Sequence, residues 1–271
     1  MPELPEVETT RRGIAPHLRS RVIARVIVRN AQLRWPVPAS LPRQLRGTVI
    51  ETIERRGKYI LLQTTRGYVL LHLGMSGSLR VINSNVSPDK HDHIDIVLDN
   101  GSCLRLRDPR RFGCVLWAGK KPFKHRLLKD LGPEPLSEDF NGEYLYQRCR
   151  GRQQPIKTFI MDSHTVVGVG NIYASESLFR SRIHPKRAAG RLSLARCQLL
   201  AEVIKRVLEE AIEQGGTTLR DFVDSDGSPG YFSQQLTVYD GAGEACRVCG
   251  EPVRQITQGQ RSTYYCAACQ R

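Results

Sequence analysis

The sequence predicts an α+β multidomain protein: an antiparallel, β-rich N-terminal part with flanking helices, a helical middle part and a small cysteine-rich C-terminal module. Three observations carry that expectation. Short runs rich in β-branched residues, punctuated by Gly and Asn, fill the first half. In the second half Leu200, Val203, Ile204, Val207, Leu208, Ala211 and Ile212 form one apolar stripe at helical spacing. Cys246, Cys249, Cys266 and Cys269 then crowd into the C-terminal end as two C-x2-C pairs separated by sixteen residues.

Taken in order, a short helix from Glu6 to Ile14 is expected first, because prolines and acids favour first turns. Strands follow at Arg21 to Val28 and Val49 to Ile53. Lys58 to Gln63 and Tyr68 to Leu73 are apolar runs joined by Thr64-Thr65-Arg66-Gly67, a hairpin signal. His93 to Asp99 alternates polar with apolar over most of its length, and Leu104-Arg105-Leu106-Arg107 alternates again. Such strands imply an antiparallel sandwich or barrel. The pattern changes at Gly132-Pro133-Glu134-Pro135, a linker composition. Beyond it Asn171 to Arg180 reads as a helix entered from Gly168-Val169-Gly170, and the apolar stripe closes at Gly215-Gly216. Asp224 to Gly230 reads as a polar, glycine-rich loop. The domains expected are residues 1–132, 133–236 and 237–271.

Lys and Arg number 41 against 27 Asp and Glu, a formal net charge of +14 over 271 residues. The sequence pI is about 9.7. That excess points to a polyanionic partner, because basic side chains bind phosphates and release condensed counterions. A lipidation signal, a secretory apolar core and an apolar run of transmembrane length are all missing from the sequence. A cytosolic, nucleic-acid-facing protein is expected. Cys103, Cys114, Cys149 and Cys197 are scattered and read as small buried apolar residues. The clustered four read instead as one structural Zn2+ site, since four thiolates close the tetrahedral shell and exclude water. Arg254 and Arg261 lie between the two knuckles, where a β-hairpin would offer them to phosphate or leave them as a solvated tip.

The chain opens MPELPE. Proline at a free N-terminus is a secondary amine, and attack on an aldehyde-like carbon would give an iminium cation, a strong electron sink. Glu3 and Glu6 beside it could move protons for that chemistry. By itself the hexapeptide reads more readily as a helix start. It does not stand by itself. With MPELPEVET come RRGKY, HLGMSG, KHDH, DPRRFG, GPEPL, GVGNIYASE, EQGGTTL, DG-x-PGYF and C-x2-C-x16-C-x2-C, in that order. In these segments the chain resembles the bacterial formamidopyrimidine-DNA glycosylase family, also called 8-oxoguanine DNA glycosylases, over essentially its whole length.

The resemblance implies a β-sandwich, a helix–two-turn–helix domain and a zinc finger. It also implies a monomeric, bifunctional base-excision enzyme. Such an enzyme removes oxidised purines from double-stranded DNA and nicks abasic sites by β,δ-elimination. Under it Pro2 is the nucleophile, Glu3 the proton shuttle and Glu6 the residue that orients the terminal amine. Lys58 contacts phosphate and donates a proton during β-elimination, and Arg261 stabilises the phosphate that leaves in δ-elimination. Met75, Arg110 and Phe112 fill the gap left by the extruded nucleotide. Taken alone, Met75 and Phe112 read as core residues and Arg110 as a salt-bridge partner, but their Gly-flanked, turn-like contexts favour exposure. His72 and Asn171 match contacts to the phosphates flanking the lesion, His91 and Arg152 match further DNA contacts, and Lys157 matches a lysine near the lesion pocket. Thr217 to Tyr231 would close over the extruded base. His91 and His93 could instead be an i, i+2 metal pair, for which no third ligand is apparent. The basic run Lys120 to Lys129 matches no motif and receives no role. Two alternatives stay open: an endonuclease VIII-type relative acting on oxidised pyrimidines, and a non-catalytic zinc protein that binds damaged DNA.

Overall fold

The structure is a computed structural model that describes residues 2–217 and 235–271. The chain divides into two compact units, residues 1–129 with 214–233 and residues 130–213 with 234–271.

The first unit opens on α1 (Leu4–Leu18), longer than the expected Glu6 to Ile14. Glu3 is its N-cap, and Glu6 closes a capping box by accepting from Glu3 N at 2.8 Å. Pro5 costs the first turn nothing, because its missing N–H would have had no helical partner there. After α1 come β1 (Ile23–Val28), α2 (Leu41–Leu45), β2 (Ile50–Arg56), β3 (Tyr59–Thr64), β4 (Gly67–His72), β5 (Ser78–Asn83), β6 (Asp92–Leu98), β7 (Ser102–Arg107) and β8 (Cys114–Gly119). They pair antiparallel in two four-stranded sheets, ordered β1-β6-β7-β5 and β2-β3-β4-β8. Ile94, Ile96, Leu104 and Leu106 of one sheet share a single core with Ile60, Leu62, Val69 and Leu71 of the other, closed by Val7, Ile14 and Leu18 of α1. That arrangement is a sandwich. The Thr65-Arg66 turn joins β3 to β4 with Thr64 paired to Gly67, as the sequence signal predicts.

The alternation in β6 does not mark a solvent face, for every residue of the strand is buried. Its polar side chains are paired instead. Arg105 binds Asp95 through Nε at 2.8 Å and Nη2 at 2.9 Å, and Arg29 adds a third bond. Burial opposes ionisation of Asp95, but those hydrogen bonds outweigh it and hold the carboxyl below its ordinary range. His93 Nε2 donates to Asp108 O at 2.9 Å, which commits the ring to the fold. The unassigned basic run also packs: Leu128 is buried, and Arg126 lies 5.4 Å from the Trp35 ring that Arg34 approaches at 4.7 Å.

The second unit contains α3 (Gly142–Cys149), α4 (Ile156–Ile160), α5 (Asn171–Arg180), α6 (Leu194–Glu213), β9 (Arg254–Gln258) and β10 (Arg261–Tyr265). The apolar stripe of α6 is buried throughout. Gly142 allows α3 to meet α6 closely, since a Cβ there would lie 2.3 Å from Gln198 Cα. Fully buried Glu176 of α5 accepts from the backbone N–H groups of Thr237, Val238 and Tyr239 and from the Thr237 hydroxyl, fastening that segment to the helix. Gly259 and Gln260 join β9 to β10 with φ of 54° and 61°, as a type I′ hairpin turn requires. The four scattered cysteines are fully buried and free, and burial pushes the Cys103 and Cys114 thiols up to about 12. Among the described residues no helix is long and apolar enough to cross a membrane.

Candidate active site and nucleic-acid interface

Pro2, Glu3 and Glu6 are all buried at the start of α1. Glu6 is the organiser. Its Oε2 takes the Glu3 N–H, which belongs to the Pro2–Glu3 peptide, while its Oε1 takes Thr217 N at 2.8 Å. One carboxylate thus aims the N-terminal peptide and holds the backbone that follows Gly215-Gly216. Gly216 has φ +82°, and a Cβ there would stand 3.0 Å from Glu6 Oε1, so glycine fits this approach. The expected closing segment, Thr217 to Tyr231, lies outside the described residues beyond Thr217.

One turn further on, Glu8 fixes the Lys58 loop. It receives Arg11 and Arg12 at 2.8 Å and Arg55 Nε at 3.0 Å, and Arg55 Nη1 donates to Gly57 O at 3.1 Å. Burial works against the Glu8 charge, but hydrogen bonds from Arg11 and Arg12 and the charges of Arg11 and Arg55 outweigh it, bringing its pKa down to about 2. Lys58 therefore occupies a tight β2–β3 turn braced from α1. Beside it Tyr59 pairs with His72 across the sheet, their rings 4.9 Å apart. Gly74 N donates to His72 Nδ1 at 2.9 Å, so a neutral His72 carries its proton on Nε2. Burial first, then the charges of Lys58 and Arg34, lower the His72 pKa to about 4. The ring is a neutral donor across the physiological range.

The loops after β4 and β7 carry Met75, Arg110 and Phe112. Met75 is 36% exposed and Phe112 43% exposed, which removes both from the core. The Arg110 guanidinium lies 5.0 Å from the Phe112 ring. His91, half-buried just before β6, accepts Asp108 N on its carbonyl at 3.0 Å.

In the second unit Arg152 is exposed on the turn after α3, and Arg261 is exposed at the first position of β10. Lys157 is placed differently from an exposed contact: it is only 1% exposed, and its Nζ donates to Asn171 Oδ1 at 2.6 Å, Thr263 Oγ1 at 2.7 Å and Ser262 O at 3.1 Å. Asn171, at the first turn of α5, donates in turn to Ser262 O at 2.9 Å and Tyr239 Oη at 3.3 Å. Lys157 and Asn171 together dock the β9–β10 hairpin, and Arg261 with it, onto the helices. The sulfurs of Cys246, Cys249, Cys266 and Cys269 lie within 4.8 Å of one another, with separations of 3.9 and 3.5 Å for the pairs Cys246–Cys269 and Cys249–Cys266. Four sulfurs about 2.3 Å from a shared ion stand about 3.8 Å apart in a tetrahedron, so the set fits one Zn2+.

Sequence reasoning passed over Asp108, Ser76, Glu8 and Glu176, although all four lie in or beside its motifs. Nothing in a linear sequence distinguishes a carboxylate that caps a distant backbone from one that solvates a surface.

A β-sandwich with a buried Pro-Glu terminus, followed by a helical unit that ends in a four-cysteine hairpin, defines a helix–two-turn–helix zinc-finger protein. The comparisons agree part by part. Residues 1–115 match the formamidopyrimidine-DNA glycosylase N-terminal domain, 131–223 its H2TH domain, and 243–271 the zinc finger found in FPG and IleRS. The chain belongs to the formamidopyrimidine-DNA glycosylase family. It is 58% identical to the formamidopyrimidine-DNA glycosylase of Methylococcus capsulatus and 57% identical to that of Shigella dysenteriae, each over the full length of both chains. Among solved structures it resembles the MutM (Fpg) protein of Thermus thermophilus, with TM-score 0.89 and 36% identity over 99% of this chain and 98% of that one. Lactococcus lactis Fpg in complex with DNA containing an abasic site matches with TM-score 0.92 and 31% identity, over 99% of each chain.

Proposed function

We propose that the protein is a bifunctional DNA glycosylase and abasic-site lyase that excises oxidised purines, 8-oxoguanine and formamidopyrimidines, from duplex DNA. The observation that carries the reading is the Pro2–Glu3–Glu6 cluster, in a chain of this family, with Glu6 aiming the N-terminal peptide. With Met1 removed, the Pro2 nitrogen is a secondary amine with a reference pKa of about 8 and is partly neutral at pH 7. It attacks the deoxyribose C1′, forming N–C1′ as the bond from C1′ to the base breaks, and its proton leaves with the base. Glu3 protonates the ring oxygen as C1′–O4′ opens, which leaves the iminium. The iminium acidifies C2′–H; loss of that proton expels the 3′ phosphate, and a second elimination expels the 5′ phosphate.

The remaining residues serve that sequence. Met75, Arg110 and Phe112 fill the gap behind the extruded nucleotide, the two apolar side chains against the stack and the guanidinium against the orphaned base. Lys58, His72, His91, Arg152 and Asn171 hold phosphates, and His72 does so as a neutral Nε2–H donor. Arg261 stabilises the leaving phosphate by charge, since a guanidinium does not give up its proton. Lys157 supports Asn171 and the hairpin. One Zn2+ on the four cysteines shapes the hairpin. Lactococcus lactis Fpg has been solved with Fapy-dG DNA and with abasic DNA, and lesions of that kind are the ligands proposed here. The enzyme works as a monomer in the cytosol.

Borohydride reduction on an abasic-site oligonucleotide tests the mechanism, because only an iminium becomes a permanent protein–DNA adduct. Chain shown by intact mass to lack Met1 should trap, and chain that retains Met1 should not. Absence of trapping by the processed chain overturns the reading. Clear preference for thymine glycol over 8-oxoguanine opposite cytosine would reassign the substrate to oxidised pyrimidines.

A further inference from the structure

Two loops bear the three gap-filling side chains, and their framework is unusual in how little of it is hydrocarbon. Residues 73–77 run from β4 to β5, and residues 108–113 run from β7 back to β8. His72 pairs with Cys114 at one end of this double crossing and Ser78 pairs with Arg107 at the other. The loops therefore cross side by side from one sheet to the other.

Asp108 sits between them, fully buried, and no cation pairs with it among the described residues. Its Oδ1 accepts from Ser76 Oγ at 3.2 Å, and its Oδ2 accepts from Gly113 N at 2.8 Å. Ser76 Oγ in turn accepts Arg110 N at 3.3 Å. The Asp108 backbone is itself anchored, with its carbonyl taking His93 Nε2 and Arg111 N and its N–H donating to His91 O. The loops touch so closely that a Cβ at Gly74 would lie 2.4 Å from Phe112 C and 2.5 Å from Gly113 N. Gly74 has φ +65°, which glycine adopts freely, and Arg111 has φ +57°, which a residue with a Cβ seldom takes.

We propose that Asp108 is a positioning residue that, through Ser76, latches the Met75 loop to the Arg110–Phe112 loop so that the three side chains enter DNA as one preassembled wedge. The inference rests on the glycosylase reading above. Its physical basis is that unstacking a base step is unfavourable, and only side chains already ordered return contact without a further entropic cost. Asp108 touches no DNA. It acts by length and by hydrogen-bond capacity, not by charge.

That distinction sets the test. In Asp108→Asn, Oδ1 can keep Gly113 N while Nδ2 donates to Ser76 Oγ, which still accepts Arg110 N; the latch survives without the charge. Asp108→Ala removes it, and Gly74→Ala strains it from the opposite loop. The substrate is a duplex with 8-oxoguanine opposite cytosine and 2-aminopurine beside that cytosine, read by fluorescence and by excision. The control is borohydride trapping on single-stranded abasic DNA, where nothing must be wedged. Asp108→Ala and Gly74→Ala should lose the fluorescence change and about tenfold or more of kcat/KM, within the cost expected of misplaced groups. Trapping by Asp108→Ala should stay within about twofold, and Asp108→Asn should restore both duplex readouts. Retained duplex signals in Asp108→Ala overturn the latch, and so does an equal loss of trapping and excision. Failure of Asp108→Asn to rescue would make the charge essential and overturn it too. Failure of the wild-type chain to trap would instead defeat the glycosylase reading, and so the two failures are distinct.

Discussion

The two units hold their functional side chains by different means. In the first, a broad core from both sheets and α1 supplies the stability, and buried carboxylates then hold the loops: Glu6 the N-terminal peptide, Glu8 the Lys58 turn, Asp108 the loops that carry Met75, Arg110 and Phe112. In the second, whose helices bury a core of their own, the described cluster beneath the hairpin is small: Phe179, Val238, Cys246, Val253, Tyr264 and Cys266, with Tyr239 and Cys269 packed against it. There Lys157 holds Asn171, Ser262 and Thr263, the four thiolates are placed to take one Zn2+, and Glu176 fastens residues 237–239. A large core lets polar groups specialise in aiming. A small one needs cross-links simply to fold.

The sharpest way to break this contrast is metal loss. Cys249→Ser should lose zinc and, with it, the hairpin that carries Arg261, lowering DNA affinity by an order of magnitude or more, since binding and folding of such modules are coupled. Metal content and a DNA titration check it, with intact mass confirming a processed Pro2 terminus. Undiminished affinity in the zinc-free protein would remove the hairpin from the interface.

A smaller effect is expected from Lys157→Met. Asn171 Oδ1 and Thr263 Oγ1 would lose this donor while Ser262 O keeps Asn171 Nδ2, a cost on the order of 2 to 3 kcal/mol in unfolding free energy. Exposed Arg261→Ala should change stability by about 0.5 kcal/mol or less while weakening DNA binding. Chemical denaturation of both variants separates the cation that holds from the cation that contacts. Equal stability losses would erase the distinction.

A further set of effects is in pH. Glu8 is depressed from 4.5 to about 2, so its contribution is complete above pH 4.5 and fades as pH falls towards 2. His72 is also depressed, from 6.5 to about 4, because the fold favours its neutral form. Its contribution is complete above pH 6.5 and is lost as pH falls from 6.5 towards 4. Thermal midpoints across pH should show His72→Gln flattening the upper window and Glu8→Gln the lower one. A His72→Gln profile parallel to the wild type would contradict the half-buried neutral ring.

Much was legible before any coordinates, wherever a signal is local. The capping glutamates after Pro2, the Thr65-Arg66 hairpin, the α6 stripe and the paired C-x2-C knuckles each declare themselves within a few residues. Helix periodicity, turn chemistry and metal-ligand spacing are properties of neighbouring residues, so the sequence alone carries them. Strands β5 and β8 were not anticipated, because pairing with β7 and β4 defines them more than their own composition does. The alternation in β6 does not reveal that its polar side is buried, because the Arg105 and Arg29 that pair with Asp95 come from other strands and loops. For Lys157 the sequence offers a match to a lysine near the lesion pocket, and only the fold sets Ser262 and Thr263, more than a hundred positions away, against it. Asp108 was one acid in a motif until Ser76 arrived beside it. A buried charge is defined by partners that only the folded chain assembles. The chemistry available was therefore set by the sequence, and which side chains stand exposed and which hold them in place was decided by the tertiary structure.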